Sequence, residues 1–283
     1  MRLSLVKFAF RSSAVVLACL PAAAPSHAQV TRSSQDAPVT WEVQWRDVEL
    51  RVMTDAQRQE IDRKEENAFK AFYNQKDELD KKIQLGQAFL QKYPKSPLAE
   101  AVDAGLVNAY FAKQDWKNVF ASADSALALN PDDVDVLTTV GWVIPHVYQP
   151  DDPNGSAELD KAETYEKPAM EVMGTMPKPS SLSDAQFAAA KAEKSAQTHS
   201  ALGLVYYRRG DYANSAKELE QAMQGNPNPD ATDLYVFGID LQNLQRYPEA
   251  AEAFNRCAQA GIALEDACKK KADSANRQSA QSK

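Results

Sequence analysis

Histidine and cysteine are scarce in this chain, three of each among 283 residues, and neither type clusters. A zinc site needs local spacings such as Cys-x-x-Cys, and none occurs. Gly-x-Ser-x-Gly, a phosphate-cradling glycine loop and His-Glu-x-x-His are also missing, so no hydrolase, nucleotide or metalloprotease motif is in view. No cofactor and no metal are implied. Basic charge is in deficit, with 32 Lys and Arg against 39 Asp and Glu. Nucleic acid and anionic membrane surfaces both need clustered cations, and neither is an expected partner. Long apolar runs are missing too. No stretch approaches the roughly 18–20 residues that a membrane-spanning helix requires.

What is present begins with a leader. Arg2, Lys7 and Arg11 supply positive charge, Ala14 to Leu20 a short apolar run, and Ser26-His27-Ala28 the small residues that signal peptidase requires. Cleavage after Ala28 is the expectation. An alternative is that Val16-Leu17-Ala18-Cys19 resembles a lipobox, in which Cys19 would be lipidated. Removal of residues 1–28 leaves 29 basic against 39 acidic side chains, a net charge near −10. Only Cys257 and Cys268 then remain, a pair to test for a disulfide in an oxidising compartment.

The mature chain repeats itself. Leu202-Gly203 and Tyr206 recur as Phe237-Gly238 and Leu241, and Ser215 and Leu219 as Ala250 and Phe254, each 35 residues on. Earlier, Leu106 and Tyr110 precede Val119, Ala123 and Ala126, and Asn130-Pro131 closes that unit as Asn226-Pro227 closes a later one. A small residue at Gly203 or Gly238 admits a neighbouring helix, Tyr206 and Leu219 fill the space between helices, and the proline stops the second helix. The pattern resembles the tetratricopeptide repeat, with its Leu-Gly-x-x-Tyr, Ala-x-x-x-Phe and closing Pro at a period of about 34 residues. It is sharp near 100–133, 196–230 and 231–264. At 63–99 it is looser: Phe69, Tyr73, Phe89 and Tyr93-Pro94 fit, but the first helix has no glycine.

The resemblance implies an all-α fold: a right-handed superhelical solenoid of about four to five helical hairpins with a C-terminal capping helix. Residues 29–53 read as a polar arm in which Trp41 to Trp45 alternates like a strand. The repeat domain spans 54–264, with Thr54-Asp55 capping a helix that runs toward Tyr73. An insert at about 145–181 carries the turn-rich Tyr148 to Gly155, a helix capped by Ser156, and a loop at Met176 to Ser181. From Asp184 an alanine-rich run extends the next first helix backwards. Leu264 to about Ala275 reads as the closing helix, and Arg277 to Lys283 as a frayed tail.

Candidate chemistry is thin. His199 occupies an aromatic packing slot, and His146 has no motif beside it. Asp151-Asp152-Pro-Asn154-Gly155 departs from the EF-hand pattern and reads as a turn. Glu65-Glu66 and Glu218-Glu220 are assigned to solvated helix faces. In repeat arrays the first helices line the concave surface, which places Asn108, Phe111, Trp142, Leu204, Tyr207, Arg208, Tyr235, Ile239 and Gln242 in a groove that mixes aromatic anchors with hydrogen-bonding groups; the alternative is that the arm at 29–53 or the insert covers these residues within the same chain. Asn67 and Asn108 alone do not make the clamp with which some repeat proteins hold acidic chaperone tails. The resemblance implies a non-enzymatic scaffold that binds a protein or peptide partner, and the leader places it in a bacterial periplasm. Tyr93-Pro-Lys-Ser-Pro97 resembles envelope repeat proteins, including those of outer-membrane assembly. Two alternatives remain open: a lipid-anchored subunit of an outer-membrane assembly or secretion complex, and an enzyme or glycan-binding protein with its site in the insert.

Overall fold

The computed structural model describes residues 61–149, 152–178, 182–224, 226, 229–260 and 264–282. The leader, the arm at 29–53, Thr54-Asp55, Asp151, the end of the Met176 to Ser181 loop, Pro227 and Gly261 lie outside these. Within them the chain forms eleven α-helices and no strand. In order they are α1 (Arg63–Tyr73), α2 (Leu79–Lys92), α3 (Ala99–Ala112), α4 (Trp116–Leu129), α5 (Val134–Val147), α6 (Gly155–Thr175), α7 (Asp184–Arg208), α8 (Tyr212–Met223), α9 (Ala231–Asn243), α10 (Tyr247–Ala260) and α11 (Glu265–Gln281). The first ten pair as five successive hairpins, and α11 closes the last one against α10. First helices α5, α7 and α9 also touch in sequence, more closely than the second helices touch one another. A stack tighter along one side curves toward that side, which puts the first helices on its inner face.

Close approach within the hairpins is set by glycine. A Cβ added to Gly203 of α7 would lie 2.6 Å from Leu219 of α8, and one on Gly238 of α9 2.6 Å from Phe254 of α10. The first two hairpins use a different lock. Phe72 of α1 is buried between Gly105 of α3 and Gly86 of α2, where added Cβ atoms would stand 2.7 Å and 2.9 Å from its ring. Around it Phe69, Phe89, Leu98, Val102, Leu106 and Tyr110 begin one apolar cluster that continues through α4 and α5 to Leu159 of α6.

In the second, fourth and fifth hairpins the turn between first and second helix follows one rule. Gly210 has φ +75°, and Gln114 and Gln245 adopt the same left-handed conformation at +57° and +60°. Each turn returns a backbone N–H to the last helical turn: Asp115 to Tyr110, Asp211 to Tyr206 and Arg246 to Leu241. Asp115 and Asp211 then cap the second helix, each accepting from the backbone N–H and the side-chain amide of the asparagine three residues on.

Four details depart from the expectations above. Helix α1 starts at Arg63 because Asp62 accepts from Lys64 N and Glu65 N at 2.6 and 2.8 Å; it does not run on from residue 54. Glu65 is buried rather than solvated, whereas Glu66 lies outward and pairs with Lys70. Helix α6 starts at Gly155, so Ser156 lies inside it, and no side chain caps it. The closing helix runs to Gln281, past the expected fray at Arg277, with Cys268, Ala272 and Ala275 buried against the last hairpin.

The extended helix is α7. Its 25 residues start at a capping box in which Ser183 and Gln186 exchange hydrogen bonds, and the alanine-rich run forms its first half. It packs on α5, α6, α8 and α9. Polar groups join it to its neighbours. Ser200 donates to Asp233 of α9 at 2.7 Å. Ser215 of α8 lies 2.8 Å from the Gly203 carbonyl and 2.5 Å from Asp240 of α9. A hydroxyl has one proton and donates to one of the two at a time, so both contacts are hydrogen bonds together only when Asp240 donates as the neutral acid. Burial agrees, pushing Asp240 up to about 8 and Asp233 to about 7. The last joint is covalent. Cys257 of α10 and Cys268 of α11 form a disulfide with Cα atoms 5.9 Å apart.

Candidate interaction face

The inner face takes shape from the C-terminal ends of the first helices. Phe111 of α3 meets Trp116 of α4 edge-on at 5.9 Å and Trp142 of α5 at 5.7 Å. Trp142 in turn stacks on His146 one turn later, ring centroids 3.6 Å apart. The result is a ladder of four half-buried rings running from the second hairpin to the third.

His146 is pinned. Its Nδ1 lies 2.7 Å from the Trp142 carbonyl, an acceptor, so the ring nitrogen must carry the proton and donate. Burial pushes the imidazole down to about 4, outweighing that hydrogen bond, and the ring is neutral at pH 7.

A cation extends the ladder onto the fourth hairpin. Arg208, at the end of α7, donates from Nε to the Pro145 carbonyl at 3.2 Å, and its guanidinium lies 5.6 Å from the centre of the Tyr148 ring. Carbonyls at a helix C-terminus lack intrahelical donors, so an arginine there satisfies one and also complements the helix dipole. Burial lowers its basicity, yet guanidinium remains charged at any physiological pH. Tyr207 beside it faces Tyr212 of α8 at 6.4 Å.

Of the nine residues assigned to the groove, the structure brings together Phe111, Trp142 and Arg208, flanked by half-buried Asn108 and Tyr207. Two belong elsewhere. Leu204 is 2% exposed and packs with Leu219 and Val236. Tyr235 is 5% exposed and meets Phe254 edge-on at 5.8 Å, so it fills the slot between α9 and α10 that the register had assigned to solvent. Gln242 donates to Gln278 of the closing helix, and Ile239 packs on the last core cluster, so both are engaged at the C-terminal end. His199, assigned to packing, instead pairs with Glu218 of α8 at 2.7 Å, which also takes Glu218 off a free solvated face. In the insert, Asn154 N and Gly155 N both bond back to Asp152, which makes that segment a turn.

Trp116, His146 and Tyr148 were not in the assigned set. Trp116 opens a second helix and Tyr148 follows a first one, so a register counted on first helices alone passes over both. His146 was visible at helical spacing from Trp142, four residues earlier.

A cleft of about 310 Å³ lies between α6 and α7, lined by Met170, Met173, Gly174, Lys191, Ala192 and Ser195. Its one charged side chain is Lys191. Among the described residues, no group of three or more His, Cys, Asp or Glu is placed to hold a metal ion, and no helix is long and apolar enough to cross a membrane.

The hairpin order, the glycine notches at Gly203 and Gly238 and the recurring left-handed turn define the repeat. The array is tetratricopeptide-like. No protein-family model matches the chain, and no curated protein matches it in sequence. Similar solved structures include a thermophilic tetratricopeptide protein from Thermus thermophilus, at 15% identity and a TM-score of 0.46 over 75% of this chain and 98% of that one. Another, a tetratricopeptide protein from Parabacteroides merdae, has 12% identity and a TM-score of 0.30 over the same shares. At these scores the repeat assignment rests on the packing described above and not on either likeness.

Proposed function

We propose that the chain is a non-enzymatic scaffold, exported to the periplasm of a two-membrane bacterium, that holds a protein or peptide segment on its inner face. The observation that carries this is the continuous run Trp116, Phe111, Trp142, His146, Arg208, which crosses three successive hairpins. Half-buried aromatic rings with one arginine are the anchor types that dominate protein interfaces. Rings held by one another lose little further freedom when a partner binds. The leader with its Ser26-His27-Ala28 site supports export, and the pairing of Cys257 with Cys268 suits an oxidising compartment.

The test uses the mature chain and its Phe111→Ala, Trp142→Ala and Arg208→Ala variants, with melting curves alongside. A segment captured from envelope extract and then titrated should bind each variant more weakly, by about 2 kcal/mol at the strongest anchor. Equal affinity for all three folded variants would remove the inner face from consideration. Intact mass of protein from its native host checks export: a terminus at Gln29 supports it, and a lipidated Cys19 would replace it with the membrane-anchored alternative.

A further inference from the structure

Two hairpins drive an apolar side chain from the second helix into a glycine notch on the first: Leu219 into Gly203 and Phe254 into Gly238. In the third hairpin the side chain in that slot is Glu166 of α6, facing Gly141 of α5. Its carboxylate fills the notch, and a Cβ on Gly141 would lie 2.3 Å from Oε1. Glu166 is 0% exposed, and neither carboxylate oxygen has a hydrogen-bond partner among the described residues. Thr198 of α7, also fully buried, is near enough to oppose the effect of burial on this carboxyl, without the geometry of a full hydrogen bond.

The cation that acts on this carboxyl is Lys194 of α7, and that amine is already engaged. It donates to Thr138 Oγ1 of α5 at 3.1 Å and to Gln197 Oε1 at 3.2 Å, and it lies 3.6 Å from Asp135 Oδ1 of α5. Asp135 therefore offsets much of its field at Glu166. The charges on the outer side of α6, Glu163 and Lys167, pair with each other, and Glu163 also pairs with Arg209 from the end of the α7 turn. An ionised carboxylate left without hydrogen bonds in such a place costs several kcal/mol, and the neutral acid far less.

We infer that the third hairpin is a proton-locked joint: Glu166 sits in the Gly141 notch as the neutral acid, and removal of its proton loosens α6 from α5. Burial, opposed by Thr198 and Lys194, holds this carboxyl well above the usual range. A group raised in the folded state gives stability that is complete below its unfolded value and is lost as pH rises through its folded value, so the joint weakens toward alkaline pH. Helix α6 packs on both α5 and α7, which carry Trp142, His146 and Arg208. Loosening it alters the spacing of the rungs of the inner face. No partner is needed for the effect.

The experiment compares hydrogen exchange, corrected for intrinsic rates, in the mature wild-type chain and in Glu166→Gln at about pH 6 and pH 9. Wild-type α6 peptides should lose protection at the higher pH by about tenfold or more relative to α2, and those of the Gln variant should not. Glu166→Leu, which carries the side chain found in the same slot of the next hairpin, gives the same answer if the Gln variant folds poorly. Infrared difference spectra should show a protonated-carboxyl band that the substitution removes. Equal losses in wild type and variants, no loss in wild type, or absence of that band would each overturn the inference.

Discussion

The two halves of the array are held together by different means. From α1 into α6, and as far as Val205 of α7, the core is one apolar cluster built around Phe69, Phe72, Phe89 and Tyr110. From α7 to α11 it divides into a small cluster of Leu204, Leu219 and Val236 and a larger one in which alanine is prominent, and buried carboxyl groups and a disulfide bridge the joints. Small side chains bury less apolar area, so each hairpin gains less from packing alone. Ser200–Asp233, Ser215–Asp240 and Cys257–Cys268 supply what packing does not. Such links depend on proton and redox state, while an aromatic core does not. The N-terminal half should therefore be indifferent to conditions that the C-terminal half feels, apart from Asp103, whose carboxyl burial raises to about 6, His146, whose imidazole burial lowers to about 4, and the face of α5 that meets Glu166.

The largest expected effect comes from Phe72→Ala. Phe72 joins three helices through two glycines, and its loss should cost about 3–5 kcal/mol, read from denaturant titration of the mature chain. A value below about 1 kcal/mol would mean that the aromatic half owes its strength to something else. Next comes reduction of Cys257–Cys268. Freeing a loop of about ten residues should cost roughly 2–3 kcal/mol, confined by hydrogen exchange to α10 and α11. Thiol labelling of the denatured, unreduced mature protein should find no free thiol.

Third is alkaline pH. Asp240 and Asp233 titrate near 8 and 7 in the folded chain, against an ordinary aspartate value of 3.8. The folded state holds more protons in this range, so stability falls as pH rises, by about 2 kcal/mol between pH 7 and pH 9. Asp240→Asn should flatten the slope in urea titrations at the two pH values. A slope unchanged by the substitution would move the proton elsewhere. The smallest effect sharpens the shared turn: Gln114→Gly and Gln245→Gly should each stabilise by up to about 1 kcal/mol, because glycine adopts positive φ without strain. Gly210→Ala should do the reverse.

The sequence showed the repeat best where its spacing was regular. Gly203 to Leu219 and Gly238 to Phe254 are each 16 residues, and both pairs pack as read. Gly141 to Glu166 is 25 residues, because the turn before α6 and the longer helix shift the register by nine. With that shift the acid in this packing slot fell outside the repeat register and was not singled out. Phe72 escaped for a related reason, since its glycine partners lie on two other helices and no single hairpin motif records them. On the inner face, Leu204 and Tyr235 were misplaced because helical phase gives a direction but not the position of the next element. That direction pointed toward Val236 of the next hairpin for Leu204, and toward Phe254 of its own second helix for Tyr235. Phe111, Trp142 and Arg208 point where the spacing between hairpins leaves room.

Helix α7 gives the array a splice. A stack of independent hairpins unravels one unit at a time under load, since each touches only its neighbours. A single helix of 25 residues that packs on four others belongs to the third and fourth hairpins at once. Pulled from its ends, the molecule should yield in single-hairpin steps at the margins and in one double step at the middle.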